Sequence, residues 1–152
     1  RFPLELFRAV RDVWPHNKPL GVRLSATDHA DNGWALEDAI AFAALLRDEG
    51  CDFVDVSSGG LVPHQRIEVH TAYQAPYSAA IRRNADIRTI AVGKIDTPEV
   101  AEAIVANGDA DMVALARGFL RHPRFVWDAA DRFGDPSFTP DQYLRARSRA
   151  PR

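Results

Sequence analysis

Two hydrophobic periods alternate along the chain. Leu6, Phe7, Val10 and Trp14 recur at helical spacing ahead of Pro15-His16-Asn17, which predicts an amphipathic helix over residues 4–14. Pro19 to Ser25 then reads as a short strand, and the Asp-, Asn- and Gly-rich stretch from Thr27 to Gly33 as a loop. Leu36, Ile40, Ala43, Ala44 and Arg47 set a second helical stripe that ends at Gly50, a residue suited to a left-handed helix end. Residues 51–57 form the next strand pattern, and a polar connection with Pro63, His64, His70 and Tyr73 leads to a helix predicted from Ala75 to Arg83. Ile87 to Val92 is a third strand. Thr97-Pro98-Glu99 starts a helix with a threonine cap, a proline at the first position and an acid near the positive end of the dipole, and Asn107-Gly108 ends it. Residues 112–115 make a fourth strand that puts Arg117 at its tip before a short helical turn, and a last helix is predicted from Pro123 to Phe133.

The order is therefore one helix followed by four βα units. Short apolar strands separated by amphipathic helices predict an α/β fold with a parallel sheet covered by helices. Two architectures satisfy this pattern: a small doubly wound sheet, or half of an eight-stranded (β/α)8 TIM barrel. A complete barrel takes about 250 residues, and the chain has 152.

Composition narrows the function more than the fold. With 46% hydrophobic residues, 26% charged residues and a formal net charge of -2, bulk charge announces no partner. No apolar run approaches the roughly 20 residues of a membrane span. One cysteine, Cys51, excludes an internal disulfide and makes a cytoplasmic setting the expectation. The chain opens on Phe2-Pro3-Leu4 without a charged leader and apolar core, so no signal peptide is expected, and it reads as the continuation of something longer.

In either architecture ligands sit at the carboxyl ends of the strands. Here those ends carry Arg23-Leu24-Ser25, Ser57-Ser58-Gly59-Gly60, Val92-Gly93-Lys94 and Ala116-Arg117-Gly118. Cations, hydroxyls and glycines on one rim suit an anion, above all a phosphate held by backbone amides and an arginine fork. If sequential strands pair, Gly93 and Arg117 converge on one phosphate. Spacing alone leaves Arg117 open between that role and a surface ion pair.

Val22-Arg23-Leu24-Ser25, Val54-Asp55-Val56-Ser57-Ser58-Gly59, Tyr73-Gln74-Ala75-Pro76-Tyr77, Ala91-Val92-Gly93 and Leu115-Ala116-Arg117-Gly118-Phe119-Leu120-Arg121-His122-Pro123 follow one another in this order over nearly the whole chain. Together they resemble the second half of the Old Yellow Enzyme family, nearest its bacterial, thermophilic-like ene-reductases. The resemblance implies the C-terminal half of a TIM barrel that binds FMN, which NAD(P)H reduces and which then delivers hydride to an activated alkene. It implies residues 1–136 as the half barrel and 137–152 as a C-terminal tail. Arg23 would lie beside the flavin ring, Ala116 and Arg117 would bind the FMN phosphate through an amide and a guanidinium, and Gly93 would add amides with Val92 and Lys94. The family often has glycine where Ala116 stands; alanine still offers its N–H.

Gln142-Tyr143-Leu144-Arg145 resembles the family's closing segment, in which an arginine enters the neighbouring subunit's substrate pocket, a role that falls to Arg145. Arg147, Arg149 and Arg152 read as a solvated basic tail, and no basic face or stacking aromatics elsewhere support nucleic-acid binding. The family's substrate-binding pair and its proton donor lie in the other half of the barrel, so no catalytic residue is assigned here. His16, His29, His64, His70 and His122 make no metal-ligand spacing. Asp52 and Asp55 fall on opposite strand faces, which favours a hydrogen-bonded structural role for Asp55, and Cys51 reads as a small buried group.

Three functional readings stand. The first is an FMN-dependent oxidoreductase with a small-molecule substrate. The second is a free-standing half barrel that binds phosphate or flavin without turnover, whose two unpaired strand edges favour homo-oligomers. The third is another phosphate-binding barrel such as a flavin-dependent dihydroorotate dehydrogenase, an aldolase or an isomerase; the absence of any strand-end lysine other than Lys94 argues against Schiff-base chemistry.

Overall fold

The computed structural model describes residues 1–135 and 139–146. Helix α1 (Phe2–Val13) precedes β1 (Gly21–Ser25), α2 (Leu36–Asp48), β2 (Phe53–Ser57), α3 (Ala75–Ala85), β3 (Arg88–Val92), α4 (Pro98–Ala106), β4 (Met112–Ala114), α5 (Arg117–Arg121) and α6 (Phe125–Phe133), and a 3-10 turn spans Asp141–Ala146. The tail arginines Arg147, Arg149 and Arg152, and the expected domain boundary at residue 136, lie outside the described residues.

All four strands are parallel and lie in chain order, β1-β2-β3-β4. The register aligns Arg23 with Asp55, Asp55 with Ile90, and Ile90 with Met112, so these four side chains form one row on one face. Val54, Val56, Thr89 and Ala91 share the opposite face and are wholly buried. Among the described residues, α1 to α4 pack on that second face. Phe7 of α1, Ala39, Ala43 and Leu46 of α2, and Ile81 and Ala85 of α3 share a core with Val54 and Val56, while Ile104 of α4 and Ile95 from the turn before it share a second core with Ala91. Helices on a single face, with strands added in sequence, are the winding of a (β/α)8 barrel and not of a doubly wound sheet.

Local chemistry explains the element ends. The Thr97 hydroxyl accepts a hydrogen bond from the Val100 N–H at 3.3 Å, with Pro98 at the first helical position, as the sequence predicts. Ala35 offers α2 no side-chain acceptor. The Asp38 carboxylate reaches back instead and accepts from the Ala35 N–H at 3.0 Å. The last helix expected from Pro123 begins two residues later, and α5 precedes it as a separate turn that stops at His122-Pro123, where proline has no N–H to continue the ladder. Gly21 is required by packing: a Cβ there would lie 2.3 Å from the Phe53 ring, its register partner on β2.

Hydrogen-bonded groups lock the amino ends of the strands. Asp111 accepts from both Nε and Nη2 of Arg82 at 3.0 Å and from the Thr89 N–H at 2.9 Å. The Arg82 guanidinium is the main reason the Asp111 carboxyl sits below the usual carboxylate range. Ser78 donates to Thr89 at 2.9 Å across the buried α3–β3 contact. Cys51 is buried at the same end, its thiol directed at the Phe53 carbonyl 3.2 Å away, and burial pushes its pKa up, which suits a packed thiol and not a nucleophile.

Candidate functional site

A cleft of about 450 Å³ opens at the carboxyl ends of the strands. Its walls hold Arg23 from β1, Ser57 and Ser58 where β2 ends, Val92-Gly93-Lys94 where β3 ends, and Ala116 and Arg117 where β4 passes into α5. Four residues singled out in the sequence, Arg23, Gly93, Ala116 and Arg117, are thus brought into one site. The pairing of β3 with β4 is what places Gly93 and Arg117 on neighbouring strand ends.

Charge in the cleft is one-sided. Arg23, Lys94, Arg117 and Arg121 line it, against Asp96 as the one carboxylate in the lining. Asp55 takes an Arg23 Nη1 hydrogen bond at 2.5 Å, consistent with its expected hydrogen-bonded role. Neither Lys94, Arg117 nor Arg121 has a side-chain hydrogen bond or ion pair among the described residues. Unpaired cations around a concave surface attract an anion and keep their donors available to it.

The backbone adds to this. Gly93 has φ +113° and Lys94 φ +52°, so the chain turns sharply as it leaves β3. A Cβ on Gly93 would lie 2.6 Å from Gln74 Nε2 and 3.0 Å from the Tyr73 ring, and only glycine fits this position. The N–H groups of Gly93 and Ile95 donate to no group among the described residues.

Arg145 is elsewhere. It lies exposed on the closing 3-10 turn, where Tyr143 packs on Trp127 with ring centroids 5.3 Å apart, and it does not line this cleft. A second depression, of about 490 Å³, lies at the amino ends of the strands beside Cys51, Arg82 and Asp111. Its principal charges are already matched: Arg82 with Asp111, and Arg47 with Asp48 and the Ala85 carbonyl. Among the described residues no group of three or more His, Cys, Asp or Glu is placed to hold a metal, and no helix is long and apolar enough to cross a membrane.

Sequence reasoning placed Ser58 on the strand-end rim but singled out neither Gln74 nor Arg121 as part of the site. Gln74 is 3% exposed and bridges the ends of β2 and β3, yet nothing in the pattern before α3 separates a buried glutamine from an exposed one. Arg121 follows Arg117 at helical spacing, i to i+4, and that spacing was the available signal for it.

Known proteins share this chain's pattern. Residues 1–134 match the NADH:flavin oxidoreductase / NADH oxidase family. An NADPH dehydrogenase of Listeria monocytogenes serotype 4a (strain HCC23) is 43% identical over 142 residues, which cover 93% of this chain and 41% of the relative. An NADPH dehydrogenase of Geobacillus sp. (strain WCH70) is 43% identical over 145 residues, covering 95% of this chain and 42% of the relative. The chain thus spans about two fifths of the length of the curated relatives it matches. Histamine dehydrogenase from Rhizobium sp. 4-9, a TIM barrel, superimposes with a TM-score of 0.71 at 18% identity, over 89% of this chain and 20% of that one. The parallel four-stranded sheet is accordingly part of a TIM barrel. The chain belongs to the NADH:flavin oxidoreductase / NADH oxidase family.

Proposed function

We propose that this chain supplies the FMN-phosphate-binding part of an FMN-dependent NAD(P)H oxidoreductase, an ene-reductase that reduces activated C=C bonds of small molecules. The observation that carries the proposal is the cleft at the carboxyl ends of the strands, where Arg117, Arg121 and Lys94 are unpaired among the described residues. Its donors fit a phosphate-bearing flavin: guanidinium and ammonium groups for the dianion, and the free N–H of Gly93 in a turn that excludes any side chain.

In this reading Arg117 grips the phosphate through its fork, and the Ala116 and Gly93 amides complete the cradle. Arg23 lines the cleft from the middle of β1. It gives one Nη1 hydrogen bond to Asp55 and keeps its other N–H groups for the edge of the flavin ring that becomes negative on reduction. Bound FMN would accept hydride from NAD(P)H and pass it to the alkene. No proton donor for that step is assigned within this chain. Arg145, exposed and outside this cleft, is suited to act in the substrate pocket of a neighbouring subunit of a homo-oligomer. A cytoplasmic location suits the NAD(P)H requirement. Residues 1–136 form the half barrel in this reading, with 137–152 as its tail.

A second reading, flavin or phosphate capture without turnover, is favoured by the open sheet. Both β1 and β4 pair on one side only among the described residues. Gel filtration of the chain with FMN, followed at protein and flavin wavelengths, and then anaerobic addition of NADPH, separates the two. Flavin that co-elutes and bleaches supports the oxidoreductase; co-elution without bleaching supports the holder. A folded chain that elutes free of flavin and binds no inorganic phosphate overturns both.

A further inference from the structure

We infer that Gln74 is a positioning residue that aims the 93–95 turn into the cleft for a phosphate-bearing ligand, an inference that rests on the phosphate reading above. Gln74 stands at the N-cap of α3, yet its side chain makes no hydrogen bond to cap that helix. Its carboxamide is committed elsewhere. Oε1 accepts from the Ser58 hydroxyl at 2.7 Å, just beyond β2, and Nε2 donates to the Val92 carbonyl at 3.0 Å, the last residue of β3.

Glutamine is suited to this bridge because one terminal group both accepts and donates. The Val92 carbonyl sets the orientation, since a flipped amide would set oxygen against oxygen. Both partners are secluded: Gln74 is 3% and Ser58 7% exposed.

The consequence lies in the next peptide. All peptide bonds are trans, so a carbonyl and the N–H of the following residue point in opposite directions. With the Val92 carbonyl drawn to Gln74, the Gly93 N–H faces away from it. A second stitch repeats the device: the Ala72 N–H donates to the Lys94 carbonyl at 3.2 Å, which turns the Ile95 N–H away from segment 72–74. Gly93, Lys94 and Ile95 all line the cleft, and the two N–H groups so directed have no partner among the described residues. Gln74 therefore acts on a ligand through the backbone it holds and does not need to touch it.

Three variants test this, Gln74→Met, Ser58→Ala and Arg117→Ala, each read by titration of the chain with inorganic phosphate and with FMN and by the position of the Gly93 amide resonance before ligand is added. Gln74→Met is expected to move that resonance and to weaken phosphate binding about tenfold, the scale of one lost buried hydrogen bond that holds a binding group. Ser58→Ala is expected to move both in the same direction by about two- to threefold, because it removes one of the two anchors of the carboxamide. A merely structural role would lower the thermal midpoint and leave the affinity of the folded chain unchanged.

If Gln74→Met does not fold, Ser58→Ala carries the test. Unchanged affinity and an unmoved Gly93 resonance in the variants that fold, with Arg117→Ala weakened, overturn the role of Gln74 alone. A wild-type chain that binds neither phosphate nor FMN overturns the phosphate reading, and this inference with it.

Discussion

Arg23 and Asp55 face each other across β1 and β2 in matched register, with Nη1 and Oδ2 2.5 Å apart. The arginine side chain is 55% exposed and the aspartate 20%, so the carboxylate carries the desolvation cost and its other oxygen, Oδ1, is buried without a partner. Removing the arginine should therefore hurt more than removing the pair. Arg23→Ala is expected to cost about 1–2 kcal/mol, the scale of a partly buried carboxylate left unsatisfied, and the Arg23→Ala/Asp55→Ala double variant no more than that. Urea unfolding of both variants measures the difference. A double variant clearly weaker than Arg23→Ala would show that Asp55 stabilises the sheet independently of Arg23.

Arg117 is unpaired at the mouth of the cleft, whereas Arg145 lies on a turn away from it. A charge-assisted hydrogen bond contributes about 1.5–3 kcal/mol, so Arg117→Ala should weaken FMN or phosphate binding roughly 10- to 100-fold. Arg145→Ala should leave it within about twofold, the loss of distant surface charge alone. Equilibrium dialysis with inorganic phosphate reads both. Equal losses would remove Arg117 from the phosphate site.

Gly93 has two reasons to stay glycine, a φ of +113° and a Cβ position already occupied by Gln74 Nε2 at 2.6 Å. Gly93→Ala is expected to destabilise the chain by about 1–3 kcal/mol, the range for strained backbone, and to weaken phosphate binding in the molecules that remain folded. Thermal unfolding with and without phosphate separates the effects. A stable variant with normal binding would show that the turn tolerates another geometry.

Acid sensitivity should centre on Asp111. Its folded pKa is depressed, first by the Arg82 hydrogen bond and also by the Thr89 N–H. A depressed carboxyl contributes stability that is fully present above its unfolded pKa of about 3.9 and is lost as pH falls through the lower folded value. Asp111→Asn is expected to be less stable at neutral pH and to lose less on further acidification. Denaturation midpoints from pH 7 down to pH 3 follow this, and parallel profiles for wild type and variant would exclude Asp111 as the acid-labile contact.

Strand and helix identities were legible because each depends on neighbours in the sequence. The alternation of Phe53, Val54, Asp55, Val56 and Ser57 sets one buried face, with Val54 and Val56 at 0% exposure, and Thr97-Pro98 carries its own cap. The cations, hydroxyls and glycines near the strand ends were equally visible, since a parallel sheet collects all its carboxyl ends on one rim. The break between α5 and α6 was half visible: Pro123 marks it, and yet the helix waits until Phe125.

Partners chosen across the sheet were not legible. Arg23 is 32 residues from Asp55, Ser58 is 16 from Gln74, and Gln74 is 18 from Val92. Each of these contacts exists because parallel register brings separate strand ends to one height, and register is a property of the packed sheet. Sequence by itself determined which residues could serve an anion: arginine forks, a lysine and glycines at strand ends. Tertiary structure decided which of them meet, and it made a buried glutamine between two strands the group that sets where the Gly93 amide points.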